Sequence, residues 1–113
     1  MHELGIVYEV IKVVDEVVIS NGIKTVDTII LEIGALSQVV PRFIEECFPA
    51  AIDGTPYENT KLEIISLPAM VNCESCGELY DVIKHKKKCP KCSDNNYKIV
   101  SGQEFNIKEI KAY

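Results

Sequence analysis

Histidine is scarce in this chain, with two among 113 residues. A Ser-His-Asp or Cys-His catalytic site therefore has little material to draw on. A Gly-rich phosphate loop and a G-x-S-x-G nucleophile elbow are both missing. The carboxylates are spread along the chain and form no pair suited to acid–base work. These absences argue against an enzyme. No apolar run is long enough to cross a bilayer. The opening Met1-His2-Glu3-Leu4-Gly5 lacks the basic region and apolar stretch of an export signal, so the expected location is the cytoplasm, without membrane attachment. The length suits one domain, or a small domain with a smaller appendage. A net charge of −5 does not suit a chain built to seek nucleic acid.

Cysteine, by contrast, is present in a pattern. Cys73-Glu-Ser-Cys76 is followed after twelve residues by Cys89-Pro-Lys-Cys92. Two residues between cysteines let both sulfurs of a tight turn face one centre, and two such turns supply four thiolates at tetrahedral corners. Zn(II) is the usual occupant of a four-sulfur site with this spacing. A rubredoxin-type iron centre uses the same geometry. Two disulfides are disfavoured in a chain that reads as intracellular. Gly77 allows the backbone to turn back after the first pair, and Pro90 stiffens the second. Cys47, the odd cysteine, reads as a small core residue on an apolar face. His85 lies between the pairs and reads as solvent-facing, because four thiolates already fill a zinc shell.

Five of the twelve basic residues, Lys84, Lys86, Lys87, Lys88 and Lys91, lie inside or beside this loop. A zinc centre filled by four thiolates carries a formal charge of about −2. The lysines read as an offset to that charge, lowering thiolate pKa values. A nucleic-acid patch would interleave aromatic residues with the lysines, and 84–92 contains none.

Taken in order, residues 4–20 place Leu4, Val7, Tyr8, Ile11, Val14 and Val18 at helical spacing, with Asn21-Gly22 as the stop. Residues 25–33 and 61–67 read as strands. Pro41 opens a second helix whose apolar face is Phe43, Ile44, Cys47, Phe48 and Ala51. Pro49 predicts a kink or break near Glu46–Phe48. Residues 97–100 and 104–110 resume extended patterns, with Ser101-Gly102 as a bulge or bend. The cysteine loop thus sits between two strands whose ends must be close, which predicts neighbours paired antiparallel. The expected fold is α+β: two helices packed on a small antiparallel three-stranded sheet, with an inserted zinc-ribbon-like domain built on the four paired cysteines. The base domain is expected over 1–70 plus 99–113 and the zinc-binding domain over 71–98. The two-stranded stalk offers a hinge, and also a route by which two chains exchange knuckles and form a homodimer.

At the amino terminus, the Met1 amine, the His2 backbone nitrogen and the His2 imidazole can chelate one metal in fused rings. Glu3 supplies a fourth donor through its backbone nitrogen or carboxylate. Nitrogen-rich, near-planar sets suit Ni(II) and Cu(II). A cation is disfavoured next to a helix N-terminus, so the helix is expected to begin after Glu3.

Met1-His2-Glu3-Leu4, a helix, the two cysteine pairs and the tail Gly102-Gln-Glu-Phe-Asn-Ile-Lys-Glu-Ile110 together resemble the HypA/HybF family of hydrogenase maturation. The resemblance covers essentially the whole chain. It implies a nickel metallochaperone with nickel at Met1, His2 and Glu3 and structural zinc at Cys73, Cys76, Cys89 and Cys92. It also implies delivery to the [NiFe]-hydrogenase large subunit with the GTPase HypB as partner, and in some organisms a link to urease maturation. Pro49 and the lysine run before Cys89 are not features that the family requires.

Overall fold

The computed structural model describes residues 3–113. Eight elements follow in chain order: α1 (Glu3–Asn21), β1 (Val26–Gly34), α2 (Pro41–Ile52), β2 (Lys61–Leu67), β3 (Met70–Cys73), β4 (Leu79–Asp81), β5 (Tyr97–Ile99) and β6 (Phe105–Ala112). They form two helices and two three-stranded sheets, ordered β2-β1-β6 and β4-β3-β5.

The apolar periodicity of α1 drives its packing. Val7, Val10 and Val14 are buried, and Ile6, Ile11 and Val18 pack beside them. These positions recur at three and four residues, one stripe of a 3.6-residue helix. The stripe is rotated from the expected one, since Leu4 and Tyr8 are exposed. β1 carries the most buried strand pattern, and it takes the central place in its sheet. Ile29 pairs with Leu62 and Ile110, and Leu31 with Ile64 and Ile107. These rows form the sheet side of a core closed by α1 and α2.

The sheet is mixed, not antiparallel throughout. β1 runs parallel to β2 and antiparallel to β6. The reason is the connection: α2 lies between β1 and β2, and a strand–helix–strand crossover returns the chain in its starting direction. The strand expected before the cysteine loop, 61–67, does not pair with 97–99; β3, which the residue pattern does not mark as a strand, pairs antiparallel with β5 beyond the loop and with β4 inside it. In the first sheet β1 separates β2 from β6.

β6 carries an irregularity at Lys108: Ile30 pairs with Glu109 while Leu31 pairs with Ile107. The extra residue keeps Ile107 and Ile110 on the same side although they are three apart, which strict alternation forbids.

α2 continues through Pro49 to Ile52, so the expected break near Glu46–Phe48 does not occur. Proline removes only the bond to the carbonyl of Glu45. Glu45 and Pro49 are both exposed, and water can satisfy that carbonyl. Phe48, Ala51 and Ile52 on the opposite side are buried and hold the last turn in place. The loop after α2 is tied to α1 by Tyr57, whose hydroxyl donates to Asp15 Oδ1 at 2.5 Å. Burial, then the Asp15 carboxylate, pushes the Tyr57 hydroxyl up to about 12.

Where the two sheets meet, the backbones touch. A Cβ on Gly34 would lie 2.1 Å from the Gly102 carbonyl oxygen, and one on Gly102 would lie 2.8 Å from the Ala69 Cα. Only glycine permits such an approach. The Leu36 amide donates to the Gly102 carbonyl at 2.6 Å, and its side chain packs into a second apolar cluster of Ala69, Val71, Tyr80 and Val82. A residue that follows β1 thus plugs the core of the other sheet.

Candidate metal centre

β3 delivers Cys73 to the first turn, and β4 resumes at Leu79. The Gly77 amide donates to the Cys73 carbonyl at 2.8 Å, and the Cys73 amide to the Glu78 carbonyl at 2.8 Å. The second turn repeats this pattern: the Ser93 amide donates to the Cys89 carbonyl at 2.9 Å, and the Cys89 amide to the Asp94 carbonyl at 2.9 Å. The residue after each second cysteine is left-handed, with φ of 78° at Gly77 and 64° at Ser93. Glycine adopts this conformation freely and serine at some cost. The two knuckles are therefore one backbone device used twice. They are joined by Ser75, whose hydroxyl donates to the Asp94 carboxylate, and by the Glu74 amide, which donates to the Asn96 carbonyl at 3.0 Å.

The turns bring the four cysteines expected from sequence to one point. All four Sγ atoms lie within 4.8 Å of one another, with Cys73–Cys92 and Cys76–Cys89 each at 3.5 Å. A disulfide requires about 2.05 Å. A tetrahedral metal with bonds of about 2.3 Å places its sulfurs about 3.8 Å apart. The cluster fits the second geometry and not the first. Cys73 and Cys89 are buried, while Cys76 and Cys92 are exposed.

The electrostatics also suit a cation. Hydrogen bonding from the Cys76 amide, with lesser help from Ser75 and the neighbouring sulfurs, draws the Cys73 thiol down to about 7. At Cys92 the Asp94 amide pulls down, but Cys73, burial, Cys76 and Cys89 outweigh it and push the thiol up to about 12. Cys76 is raised as well: the Glu78 amide favours its thiolate, and burial, Cys89 and Cys73 oppose it. One thiolate forms readily, and each further negative charge within a few ångströms is resisted. A divalent cation at the centre removes that resistance.

The leading influences on Cys73, Cys76 and Cys92 are backbone amides, burial and other sulfurs, with no ammonium among them. Lys84, Lys86, Lys87, Lys88 and Lys91 are all exposed.

Cys47 sits half-buried on α2 against the core of the first sheet, outside the sulfur cluster. His85 meets the ring of Tyr80 edge-on, with centroids 6.1 Å apart and planes at 75°. Tyr80 itself is buried, and its hydroxyl has no hydrogen-bond partner. Burial, then the nearby sulfurs Cys73 and Cys89, raises its pKa. The sequence pattern singles out neither Tyr80 nor the Ser75–Asp94 link. Both depend on how the two knuckles face each other.

Met1 and His2 lie outside the described residues. Glu3, the first described residue, is already part of α1, so the helix does not begin after it as expected. A carboxylate in the first turn complements the free amides there, which favours drawing Glu3 into the helix. A surface groove of about 540 Å³ runs along α1 and β6 and is lined by Ile6, Glu9, Val10, Val13, Phe105, Asn106 and Ile107. Its one ionisable lining residue is Glu9, so it presents no convergent set of polar groups.

The chain matches the family model for HypA, described as hydrogenase/urease nickel incorporation, metallochaperone, over residues 1–112. It is 37% identical to the hydrogenase maturation factor HypA of Geobacter metallireducens over 111 residues, 98% of each chain. It is 36% identical to that of Chlorobaculum parvum over 110 residues, 97% of each. Its fold is that of the Ni metallochaperone HypA from Helicobacter pylori in solution, with a TM-score of 0.68 and 19% identity over 99% of this chain and 97% of that one. A second solution structure of HypA protein gives a TM-score of 0.71, covering 100% of this chain and 97% of the other. With the matched length, the paired knuckles and the fold in agreement, this chain belongs to the HypA family of nickel metallochaperones of hydrogenase maturation.

Proposed function

We propose that this chain carries Ni(II) at its amino terminus, on Met1, His2 and Glu3, and holds Zn(II) permanently on Cys73, Cys76, Cys89 and Cys92. The observation that carries this reading is the sulfur cluster. Four sulfurs within 4.8 Å of one another are enough to fill a tetrahedral shell. A closed shell suits a structural ion and leaves no open position through which cargo could be exchanged. The cargo therefore needs a different donor set. The amine, imidazole and backbone nitrogen of the first two residues supply one of the right chemistry for nickel. Zinc is favoured over iron because closed knuckles of four cysteines are its common structural setting.

In this reading residues 1–70 with 99–113 are the nickel-binding base, and residues 71–98 are the zinc-binding domain. The separate apolar clusters support that division. The protein is a carrier and not a catalyst. It works in the cytoplasm, receives help from the GTPase HypB and delivers to the [NiFe]-hydrogenase large subunit. In this reading the cargo is held just ahead of α1, where the positive end of the helix would weaken its hold, which suits a passenger that must be released.

Protons should compete with nickel. Free imidazoles titrate near about 6.5 and α-amines near about 7.7–8.0, and both must be deprotonated to bind. Nickel affinity, measured by calorimetric titration at constant ionic strength, is expected to fall steadily from pH 8 to pH 6. A flat profile across that range refutes the nitrogen donor set.

A further inference from the structure

The segment between β4 and Cys89 is an ordered turn and not a loose spacer. The Asp81 carboxylate accepts from the amides of Ile83 and Lys84, both at 3.0 Å. The Lys87 amide donates to the Val82 carbonyl at 2.8 Å, and the Lys88 amide to the His85 carbonyl at 3.1 Å. Val82 anchors the turn in the second apolar cluster. Two consecutive residues in this turn, Lys86 and Lys87, have φ of 53° and 66°. Side-chain-bearing residues occupy that region at a cost, and glycine would relieve it. Lysine gives no local hydrogen bond in return, as Asn or Asp can. Strain kept where glycine would remove it points to a use for the side chains.

The charge distribution gives that use a sign. Residues 82–92 hold five lysines and no acidic residue. The other seven basic residues face seventeen acidic ones, a balance of −10 over the rest of the chain. Among the described residues the only ion pair joins Arg42 to Glu46 on α2, so no carboxylate pairs with the lysines of the turn. Two apolar side chains in the turn and on β4 stand open: Ile83 is 57% exposed and Leu79 53%.

We infer that this lysine turn is the docking site for an acidic protein segment that also presents an apolar residue to Ile83 and Leu79. The inference rests on the carrier reading above, in which cargo passes to another protein. A nucleic acid is a poorer fit, because 82–92 holds no Phe, Tyr or Trp to stack on bases and the His85 ring is taken up against Tyr80. A lipid surface is a poorer fit for a related reason, as no aromatic residue there can sit at the headgroup layer.

The test uses the full-length, zinc-loaded protein and three labelled probes: a twelve-residue peptide of glutamate and leucine, a single-stranded oligonucleotide of equal charge, and vesicles of phosphatidylserine and phosphatidylcholine. At physiological salt the peptide is expected to bind best. Lys86→Gly with Lys87→Gly should weaken it at least tenfold and raise the melting temperature, because charge and strain leave together. Lys84→Glu with Lys88→Glu should weaken it similarly without that thermal gain, and Ile83→Ser should weaken it by a smaller factor. Nickel and zinc stoichiometry should be unchanged in every variant. The proposal is overturned by no measurable peptide binding, by unchanged affinity in the charge variants, by tighter binding of oligonucleotide or vesicles, or by a glycine variant no more heat-stable than the parent. Nickel titration of the same samples reads the carrier function separately, so a failure there is distinguishable.

Discussion

Replacing Cys89 by serine is expected to empty the sulfur site and unfold the module around it. Zinc should fall from one equivalent to none, and the amides of β3, β4 and β5 should lose their protection from exchange. The expectation follows from how little else holds that part of the chain. Its apolar cluster consists of Ala69, Val71, Tyr80 and Val82 together with two of the cysteines, with Leu36 and Tyr97 at the margin. Segments shorter than about 40 residues seldom fold on such a core without a metal or disulfide. A structural zinc contributes about 10–16 kcal/mol in zinc-finger peptides, far more than these side chains supply. Serine cannot replace the thiolate, because its hydroxyl stays protonated at neutral pH and is a harder donor. The β2-β1-β6 sheet should survive, since its core is built from α1, α2 and the rows beside Ile29 and Leu31. Metal analysis and amide exchange on the purified variant check both halves. A full equivalent of zinc, or unchanged protection in β3–β5, would contradict them.

Replacing His2 by alanine is expected to lower nickel affinity by at least about 100-fold, on the order of 3 kcal/mol, with zinc content unchanged. The imidazole is the one side-chain nitrogen in the proposed donor set, and removing it breaks a chelate ring as well as a bond. His85, the other histidine, packs edge-on against Tyr80 and does not replace it. Calorimetric titration beside elemental analysis separates the two metals. Loss of both together would mean that the sites are not independent.

Much of this architecture is legible in the residues before any coordinates. The four-sulfur site is the clearest case, because a two-residue interval fixes the turn, and two turns fix the geometry. Helix α1 and strand β1 are also readable, each from its own period of burial. What the residues do not disclose depends on tertiary context. The direction of β2 is set by α2 crossing over the sheet, a property of the connection and not of KLEIISL itself. Pro49 breaks a helix only if the freed carbonyl has no other partner, and burial of Phe48 and Ala51 on the far side decides where that carbonyl faces. Glu3 already lies within α1, where a carboxylate is favoured in the first turn, although the argument from metal ligation would leave it outside. Leu36 gives no signal at all: one leucine in a loop says nothing about which of two cores it enters.

The lysine-rich turn shows the opposite error. Charge beside a metal site invites an electrostatic explanation in terms of that site. The structure turns the lysines outward, and the thiol shifts come from amides and sulfurs.

The most direct measurement compares nickel uptake by the chain as it stands with uptake by the same chain carrying one extra residue, or an acetyl group, ahead of Met1. Either change displaces or neutralises the terminal amine while leaving Cys73, Cys76, Cys89 and Cys92 untouched. The expected result is loss of tight nickel binding with one zinc per chain retained. Equal nickel affinity in the blocked and unblocked proteins would contradict a carrier that holds its cargo at the amino terminus.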